Sequence, residues 1–373
     1  MNKGLFGTFT IVLLFLLIPK IRFFFNSTGI RWIYILLVSL ISSYLLTPIA
    51  SSISYKKNFL DIPNETRKIH SQATPLLGGF AVYLAFLASL SLNNIFSPDL
   101  VAIISSVTLI MLSGLFDIKY HLPASVRLFI QLLAVAIVIY AGVILKLFPK
   151  DSFLWYFNIP LTILWIVGIT NSMNFFDGMD GLAAGLSIII SAFLGFLAFQ
   201  NSQPFLGWVA IAMIGGCLGF LPYNFRLRED ASIFLGDSGS NFLGFTLACM
   251  AIQGDWSENS TIVSIVAPLF IFSILIYDMI YITVERIISG KVTNFKEWIE
   301  YVGKDHLHHR MNALLTDRRK TVLFIYLINI AMGCSALALR NADNFDLIIL
   351  VFQGIVFLII ITILERLGNK LRE

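Results

Sequence analysis

Charge is scarce in this 373-residue chain: only 13% of the residues are Asp, Glu, Lys or Arg, and 57% are hydrophobic. A soluble domain carries about 25% charged residues, so roughly half of the usual charge is missing. This shortage excludes a disordered chain and a nucleic-acid-binding protein, both of which need the opposite balance, so we expect no nucleic acid partner. The mean hydropathy of +0.83 instead indicates an integral membrane protein.

Cysteine is also rare, and long polar insertions are absent. Cys217, Cys249 and Cys334 lie far apart in separate apolar stretches, which argues against a disulfide framework or a metal cluster. We interpret them as small buried hydrophobic residues. The longest polar insertion, between residues 285 and 320, covers only about 35 residues, and no internal repeat or soluble domain is present. The chain is therefore expected to form one membrane domain.

Continuous apolar runs predict transmembrane helices, because about 20 residues are needed to cross the hydrocarbon core. The runs do not alternate with period two, which argues against strands. We therefore predict an all-α, polytopic bundle of about 11 membrane helices, within a range of 10–12. The runs lie near residues 5–19, 32–50, 76–95, 99–117, 128–148, 159–175, 181–199, 206–223, 241–254, 261–284, 321–339 and 346–365.

Basic residues are concentrated on one predicted side. If residues 51–75 are cytoplasmic and the later spans alternate, 19 Lys and Arg residues lie inside and three outside, which the positive-inside rule favours. In residues 1–50, however, two full spans would place Lys20, Arg22 and Arg31 outside, so the topology of this part stays open. Residues 51–373 then form the main membrane domain, with cytoplasmic loops near 51–75, 118–127, 174–181, 224–240 and 285–320.

The stretches rich in Asp, Asn, Gly and His all fall on the cytoplasmic side, which predicts one composite site. The densest stretch contains Asn171, Asn174, Asp177 and Asp180, spaced three residues apart. On a helical turn these side chains share a face. Such a face suits a hydroxyl-rich, amide-bearing or metal-chelated ligand, although a hydrated corner between two helices is the alternative.

A second motif places Asp237 between Gly236 and Gly239, just before an apolar run. Glycines let backbone N–H groups approach an anion, and the start of a helix adds its positive dipole end. Mg²⁺ binds through one or two carboxylates while substrate phosphates fill its other positions. The motif therefore predicts a magnesium–phosphate site, with an ordinary glycine-rich helix start as the alternative.

Three of the five histidines form a third motif, His306, His308 and His309, flanked by Lys304 and Arg310. Clustered cations favour a diphosphate. A zinc site and a solvated polar loop are the alternatives.

Two further loops combine polar and basic residues near membrane exits. One contains Arg67, Lys68 and His70, and the other runs from Asp117 to Arg127. Each loop alone could be a positive-inside anchor. Their common side with the other motifs favours a role in the same site.

Together these motifs resemble the polyprenyl-phosphate N-acetylhexosamine-1-phosphate transferases, integral membrane enzymes that start bacterial surface glycans. The resemblance runs from about residue 61 to 312. The order His306-Leu-His308-His309-Arg310 is similar to the branch that initiates O-antigen, common antigen or teichoic acid. The resemblance implies a cytoplasmic active site in the bacterial inner membrane.

The implied reaction is attack of undecaprenyl phosphate on the β-phosphorus of a UDP-N-acetylhexosamine, which releases UMP. The implied cofactor is Mg²⁺, with Mn²⁺ as an alternative. N-acetylglucosamine is the expected sugar, and a 6-deoxy amino sugar such as N-acetylfucosamine or N-acetylquinovosamine is the alternative. Substrates and the lipid bilayer are the expected partners, and a homodimer stays open.

The resemblance also implies roles for individual residues. Catalytic roles fall to Asp117, Asp177, Asp180 and His306. Metal binding falls to Asp237 and Asn174. Substrate binding falls to Arg67, Lys68, His70, Asn171, Asn174, His308, His309 and Arg310.

One position departs from the family pattern: the family has paired aspartates where this chain has Asp117 followed by Ile118. Loss of the second carboxylate would weaken catalysis or mark an inactive membrane scaffold. A transporter is the third class, but it would show broken helices and ionisable groups near the middle of the membrane, and we expect neither here.

The predicted orientation can be tested by chemical labelling. Cysteines introduced near residues 62, 122, 229 and 300 should react only with reagent that reaches the cytoplasmic side, because the cation imbalance places all four loops there. Labelling of any one of them from outside intact cells would contradict the prediction of a single cytoplasmic site.

Overall fold

The computed structural model of the chain describes residues 3–370, except 63–72, 227, 258–260, 302 and 304. Within this part nearly all regular structure is helical. Strands are confined to one short antiparallel pair, Leu60–Asp61 (β1) with Thr74–Pro75 (β2). The prediction of an all-α polytopic membrane protein is confirmed.

The first half of the chain contains seven helices, with a 3₁₀ turn at Phe153–Phe157 before the last of them. They are α1 (Lys3–Leu16), α2 (Pro19–Ser27), α3 (Arg31–Lys57), α4 (Gly78–Leu92), α5 (Pro98–Tyr120), α6 (Ala124–Tyr140) and α7 (Asn158–Phe176). The second half contains α8 (Leu182–Gln200), α9 (Pro204–Asn224), α10 (Gly236–Gln253), α11 (Thr261–Ile271), α12 (Ser273–Ile288), α13 (Phe295–Glu300), α14 (Leu307–Leu315), α15 (Arg318–Leu339) and α16 (Asn344–Lys370).

Seven helices in the described part are long and apolar enough to cross a membrane: α3, α5, α7, α8, α9, α15 and α16. Two bent helix pairs raise the number to nine if each pair counts as one span, and α4 and α6 are shorter apolar helices. The predicted runs thus correspond to helices, while the count of about 11 membrane crossings stays a prediction.

The N-terminal pair is bent by 73° between α1 and α2, so the first apolar run does not continue straight. Two cations from the N-terminal region, Arg22 of α2 and Arg31 of α3, contact the C-terminal end of α4. Arg22 Nη1 donates to the Leu92 carbonyl at 2.7 Å, and the Arg31 guanidinium donates to the Asn93 carbonyl. Cations are favourable at a helix C-terminus, because its last carbonyls carry partial negative charge. This contact gives the two arginines a local partner away from the polar motifs.

The second bent pair, α11 and α12, meets at 77°. Pro268 lies in α11 one turn before the break at Phe272. Side chains from other helices donate to carbonyls beside the break. Asn329 Nδ2 of α15 donates to the Ile271 carbonyl at 3.0 Å, and Ser172 Oγ of α7 donates to the Leu275 carbonyl at 2.9 Å. The bend departs from a continuous span, and α12 also carries the fully buried Asp278.

Small residues bring α3 and α9 into backbone contact in the centre of the bundle. A Cβ atom at Gly215 would lie 2.7 Å from the Leu36 carbonyl oxygen, and one at Gly219 would lie closer still to the Leu40 carbonyl oxygen. Ser39 Oγ donates to the Ala212 carbonyl at 2.6 Å across the same interface. This is the close approach that small residues at four-residue spacing allow between membrane helices.

We expect Gly219→Ala to lower the melting temperature in detergent. The added methyl group would meet backbone that cannot move alone, a form of overpacking that costs about 1–3 kcal/mol. Gly168→Ala in α7 is the matched control, because a Cβ there meets no atom within 4 Å. A variant at Gly219 as stable as that control would contradict the packing described.

Candidate functional site

The ends of three helices meet on one side of the bundle and bring three predicted carboxylates together. Asp117 lies in the last turn of α5, Asp177 directly follows α7, and Asp237 lies in the first turn of α10. Arg127 joins two of them, since its Nη1 atom is 3.4 Å from Asp117 Oδ2 and 3.4 Å from Asp237 Oδ2. Arg127 therefore contacts both a carboxylate nearby in the sequence and one that is 110 positions away.

The two carboxylates around Arg127 differ in accessibility. The Asp237 side chain is 54% exposed, whereas the Asp117 side chain is 15% exposed. Asp117 Oδ1 also accepts a hydrogen bond from the Leu122 backbone N–H at 2.6 Å. Asp237 is thus open to a ligand, and Asp117 is shielded and held in place by the turn after α5.

The corner between α7 and α8 carries Asp177 and Asp180. Gly181 adopts a φ of +80° there, and its N–H donates to Asn224 Oδ1 at 2.8 Å. Asp180 Oδ2 accepts from the Ala231 backbone N–H at 3.0 Å. The Asp180 carboxylate therefore also ties this corner to the loop before α10.

The Asp177 carboxyl lies in a crowded acidic environment. Burial away from water is the main cause that raises the pKa of Asp177 well above its usual range. The nearby charges of Asp237 and Asp180 raise this pKa further, and a hydrogen bond from the Gly236 backbone opposes the change. Ionisation of Asp177 is therefore unfavourable without a cation or a proton nearby.

The two asparagines of the predicted polar face have separate contacts. Asn171 Nδ2 donates to Gln131 Oε1 at 2.8 Å, which links α7 to α6. Asn174 Nδ2 donates to Ser240 Oγ at 2.9 Å, and the Asn174 side chain also hydrogen-bonds Asp237. Asn174 thus lies in the site beside Asp237, while Asn171 contacts the α6 side.

The glycines around Asp237 have a packing role that the sequence did not reveal. Gly236 has a φ of +76°, and a Cβ there would lie 2.6 Å from the Leu76 carbonyl oxygen. A Cβ at Gly239 would lie 2.5 Å from the Gly79 Cα in α4. The missing side chain of Gly239 thus permits the close contact between α4 and α10, and that of Gly236 permits the approach of the backbone just before α4.

The histidine segment, from His306 to Arg310, forms the start of α14 and lies beside α12. His306 Nδ1 is 2.7 Å from Asp278 Oδ2, and the Arg310 guanidinium is 3.2 Å from Asp278 Oδ1. Arg310 is only 2% exposed and also pairs with Glu365. The structure therefore places Arg310 inside an ion-pair network, and its predicted role in substrate binding stays a prediction.

His308 connects this segment to the α7–α8 corner. It is buried, and neither ring nitrogen has a hydrogen-bond partner. A Cβ at Gly178 would lie 2.7 Å from its Nε2 atom, and its ring packs against His309 at a centroid distance of 4.1 Å. Burial, with the neighbouring cationic groups, lowers the pKa of His308 well below its usual range, so the ring is neutral near pH 7.

Within the described residues, no group of three or more His, Cys, Asp or Glu side chains is arranged to hold a metal ion. This finding gives no support to the zinc alternative for the histidines. Mg²⁺ requires fewer protein ligands, because one or two carboxylates together with substrate oxygens can fill its coordination positions. The exposed Asp237 with its neighbour Asn174 offers such oxygen ligands.

Several predicted positions have other outcomes. Arg67, Lys68 and His70 lie outside the described residues. Ile118 is half-buried and packs against the hydrophobic core, so it is not a free position beside Asp117. The sequence reasoning did not assign Arg127, although it belonged to a noted motif, and it missed Asp278 because a single acid inside an apolar run gave no spacing signal.

Comparison with known proteins gives a matching family model and several similar proteins that align with most of this chain. Residues 100–255 match the sequence model of glycosyl transferase family 4. The chain is 33% identical to the probable undecaprenyl-phosphate N-acetylglucosaminyl 1-phosphate transferase of Bacillus subtilis, over 91% of this chain and 94% of that protein. It is 29% identical to the undecaprenyl-phosphate alpha-N-acetylglucosaminyl 1-phosphate transferase of Yersinia pestis, over 78% of this chain and 79% of the relative. It is 28% identical to the decaprenyl-phosphate N-acetylglucosaminephosphotransferase of Mycobacterium leprae, over 86% and 88%.

Fold and site define a multi-pass membrane protein in which acidic and basic groups converge at one end of a helical bundle. Similarity to the Bacillus subtilis protein over nearly the whole of both chains identifies the family. The chain belongs to glycosyl transferase family 4, which confirms the predicted family.

The raised pKa of Asp177 predicts a pH-dependent gain in stability from Asp177→Asn. The folded protein holds this proton to higher pH than the unfolded chain. The loss of stability is therefore absent below pH of about 4, grows as the pH rises from there to the folded pKa, and is constant above it. We therefore expect Asp177→Asn to melt at a higher temperature than the wild type at pH 8, with the gain vanishing near pH 4 as measured by thermal unfolding.

The exposed Asp151, outside this site, supplies the control variant Asp151→Asn. A lower melting temperature of Asp177→Asn at pH 8, or a gain of the same size at both pH values, would contradict the electrostatic account.

Proposed function

We propose that the protein transfers N-acetylglucosamine 1-phosphate from UDP-N-acetylglucosamine to undecaprenyl phosphate, releases UMP, and so starts a cell-surface glycan. The site faces the cytoplasm from a bacterial inner membrane. One observation carries the proposal: Asp117 and Asp237 converge on Arg127 beside the Asp177 corner. The printed names of the relatives from Bacillus subtilis and Yersinia pestis support the same reaction class.

The chemistry joins two anions. An oxygen of undecaprenyl phosphate forms a bond to the β-phosphorus of the donor, and the bond from that phosphorus to the oxygen of UMP breaks. Transfer of this kind depends mainly on alignment and charge neutralisation, so little covalent chemistry is required of the protein. Arg127 supplies positive charge between the carboxylates, where the phosphates must meet.

A phosphate monoester has a second pKa of about 6 and is mostly ionised near neutral pH. Asp117, which is shielded and oriented by the Leu122 N–H, then has only a residual proton to accept. His306, His308 and His309 lie next to the α7–α8 corner and would contact the diphosphate or the sugar.

Mg²⁺ is the proposed cofactor, with Mn²⁺ as the alternative, and Asp237 and Asn174 would hold it. The donor set fits, because Asp237 is half-exposed and Asn174 contacts it directly. When bound, such an ion neutralises phosphate charge and orients the leaving group. The crowding of Asp177, Asp180 and Asp237 is an electrostatic setting that a divalent cation relieves.

The test is UMP release by purified protein supplied with undecaprenyl phosphate and UDP-N-acetylglucosamine. We expect Asp237→Asn to lower the turnover number by about 100-fold or more while the protein stays folded, since a metal contact is worth several kcal/mol in the transition state. Asp255→Asn, at the opposite end of α10, is the matched control.

Excess chelator should abolish UMP release, and added Mg²⁺ or Mn²⁺ should restore it. Full activity in chelator, or in Asp237→Asn, would overturn the metal assignment. UDP-linked 6-deoxy amino sugars are assayed in parallel: faster turnover with one of them would change the donor, and no UMP release from any donor would favour the scaffold.

Variants at Asp117 and Ile118 distinguish an active enzyme from a catalytically impaired relative. We expect Asp117→Asn to lower turnover by about 100-fold, because no carboxylate at 118 can substitute. Since Ile118 packs against the core, Ile118→Asp should lower the melting temperature without raising turnover. A fully active Asp117→Asn enzyme would remove Asp117 from the site, and a faster Ile118→Asp enzyme would show that position 118 tolerates the second acid.

A further inference from the structure

Two carboxylates are completely buried inside membrane helices, and the proposed reaction gives neither of them a role. Asp278 lies on α12 and Glu365 lies on α16, and both have no exposed surface. Ionisable groups inside a membrane domain are costly, and they persist when they are paired. Both carboxylates contact the histidine segment, which comes from a different part of the chain.

Asp278 provides the N-terminal cap that α14 lacks. His306 precedes this helix, and its side chain makes no capping hydrogen bond. Asp278 Oδ1 instead accepts from the Leu307 backbone N–H at 2.6 Å. The first N–H groups of a helix have no partner within the helix, and a carboxylate stabilises them through both hydrogen bonding and the helix dipole. The start of α14 is therefore held by α12.

The same carboxylate orients the His306 ring. Asp278 Oδ2 lies 2.7 Å from His306 Nδ1. Because an ionised carboxylate only accepts hydrogen bonds, Nδ1 carries a proton and the Nε2 lone pair stays available in the neutral ring. The ring lies against Phe175, at a centroid distance of 4.6 Å, two residues before Asp177.

Glu365 secures the other end of the segment. Its Oε1 atom is 3.1 Å from Arg310 Nη2, and its Oε2 atom accepts from the Tyr277 hydroxyl at 3.1 Å. Arg310 Nη2 also contacts Asp278, at 3.2 Å. One buried guanidinium is thus shared by two buried carboxylates from different membrane helices.

The loop before the histidines is also fixed to α12. Arg286 binds Asp305 through two hydrogen bonds of 2.7 Å each. Bidentate pairs of this kind define orientation as well as distance. The segment is therefore anchored on both sides of His306.

We infer that Asp278 and Glu365 are positioning residues, which act through His306 and Arg310 to fix the histidine segment against the α7–α8 corner. The inference rests on the proposed function for its kinetic consequence. Its structural content, the tautomer of His306 and the coupling of Glu365 to Arg310, can be measured without turnover.

The first experiment compares Asp278→Asn with the wild type. The asparagine amide would donate to Nδ1 and favour the tautomer with the proton on Nε2. We expect turnover to fall by about 100-fold with the KM for the UDP-sugar changed by less than about threefold. In ¹⁵N spectra of histidine-labelled protein, assigned with His306→Gln, the proton should lie on Nδ1 in the wild type and on Nε2 in Asp278→Asn.

A double variant separates positioning from general destabilisation. In a His306→Gln background, Asp278→Asn should cost less than about twofold in turnover, because residues that act as a unit are not additive. An equal loss in both backgrounds, unchanged turnover in Asp278→Asn, or a wild-type proton on Nε2 would overturn the role of Asp278.

The second experiment uses Glu365→Gln and its matched control, Asp346→Asn, an exposed acid at the other end of α16. Glu365→Gln should lower turnover by about tenfold and reduce the melting temperature, while both effects should disappear in an Arg310→Gln background. The control should match the wild type. Additive losses in the double variant would overturn the role of Glu365.

These outcomes stay separate from the fate of the proposed reaction. If the wild-type protein releases no UMP from any donor, the proposed function fails. The histidine spectra and the melting-temperature cycle still decide whether Asp278 and Glu365 fix the histidine segment.

Discussion

The hydrocarbon core of a bilayer offers no hydrogen bonds to a charge, so ionisable groups must reach the end of the bundle or find partners within it. Three carboxylates lie at the end of the bundle, at or near a helix terminus: Asp117, Asp177 and Asp237. Two others, Asp278 and Glu365, are buried within the bundle and both pair with Arg310. The same constraint thus creates both a cluster of acidic groups at helix ends, the candidate site, and a buried ion-pair network.

The candidate site depends on helices that approach more closely than ordinary side chains permit. Gly79 and Gly239 bring α4 against α10, and Gly215 and Gly219 bring α9 against α3. Lipid tails are as apolar as leucine, so burial alone does not drive this association, and close van der Waals contact between small residues becomes decisive. The glycines beside Asp237 illustrate the point: they serve the packing that places the carboxylate in the site.

A broken helix connects the two groups of charges. Beside the 77° bend between α11 and α12, side chains from α15 and α7 donate hydrogen bonds to the Ile271 and Leu275 carbonyls. Beyond the bend, α12 presents Asp278 to the start of α14 and Arg286 to the loop before it. The last membrane helix then adds Glu365, so a segment far beyond the matched family region contributes to the support of the histidines.

The sequence by itself determined the all-helical membrane fold, because apolar runs of span length have few other structures available. It also made candidates of Asp177 by its spacing, Asp237 by its flanking glycines, the histidines by their clustering and Asp117 by its place at a membrane exit. Tertiary structure alone decided the partners. Arg127 meets Asp237 across 110 residues, and Asp278 meets His306 across 28, because helices pack in a particular arrangement. It also placed Arg310 in a buried ion-pair network with Asp278 and Glu365. Apolar periodicity shows that a helix is buried in lipid or protein, but a contact between two side chains depends on crossing angle, depth and bend, which no local pattern encodes.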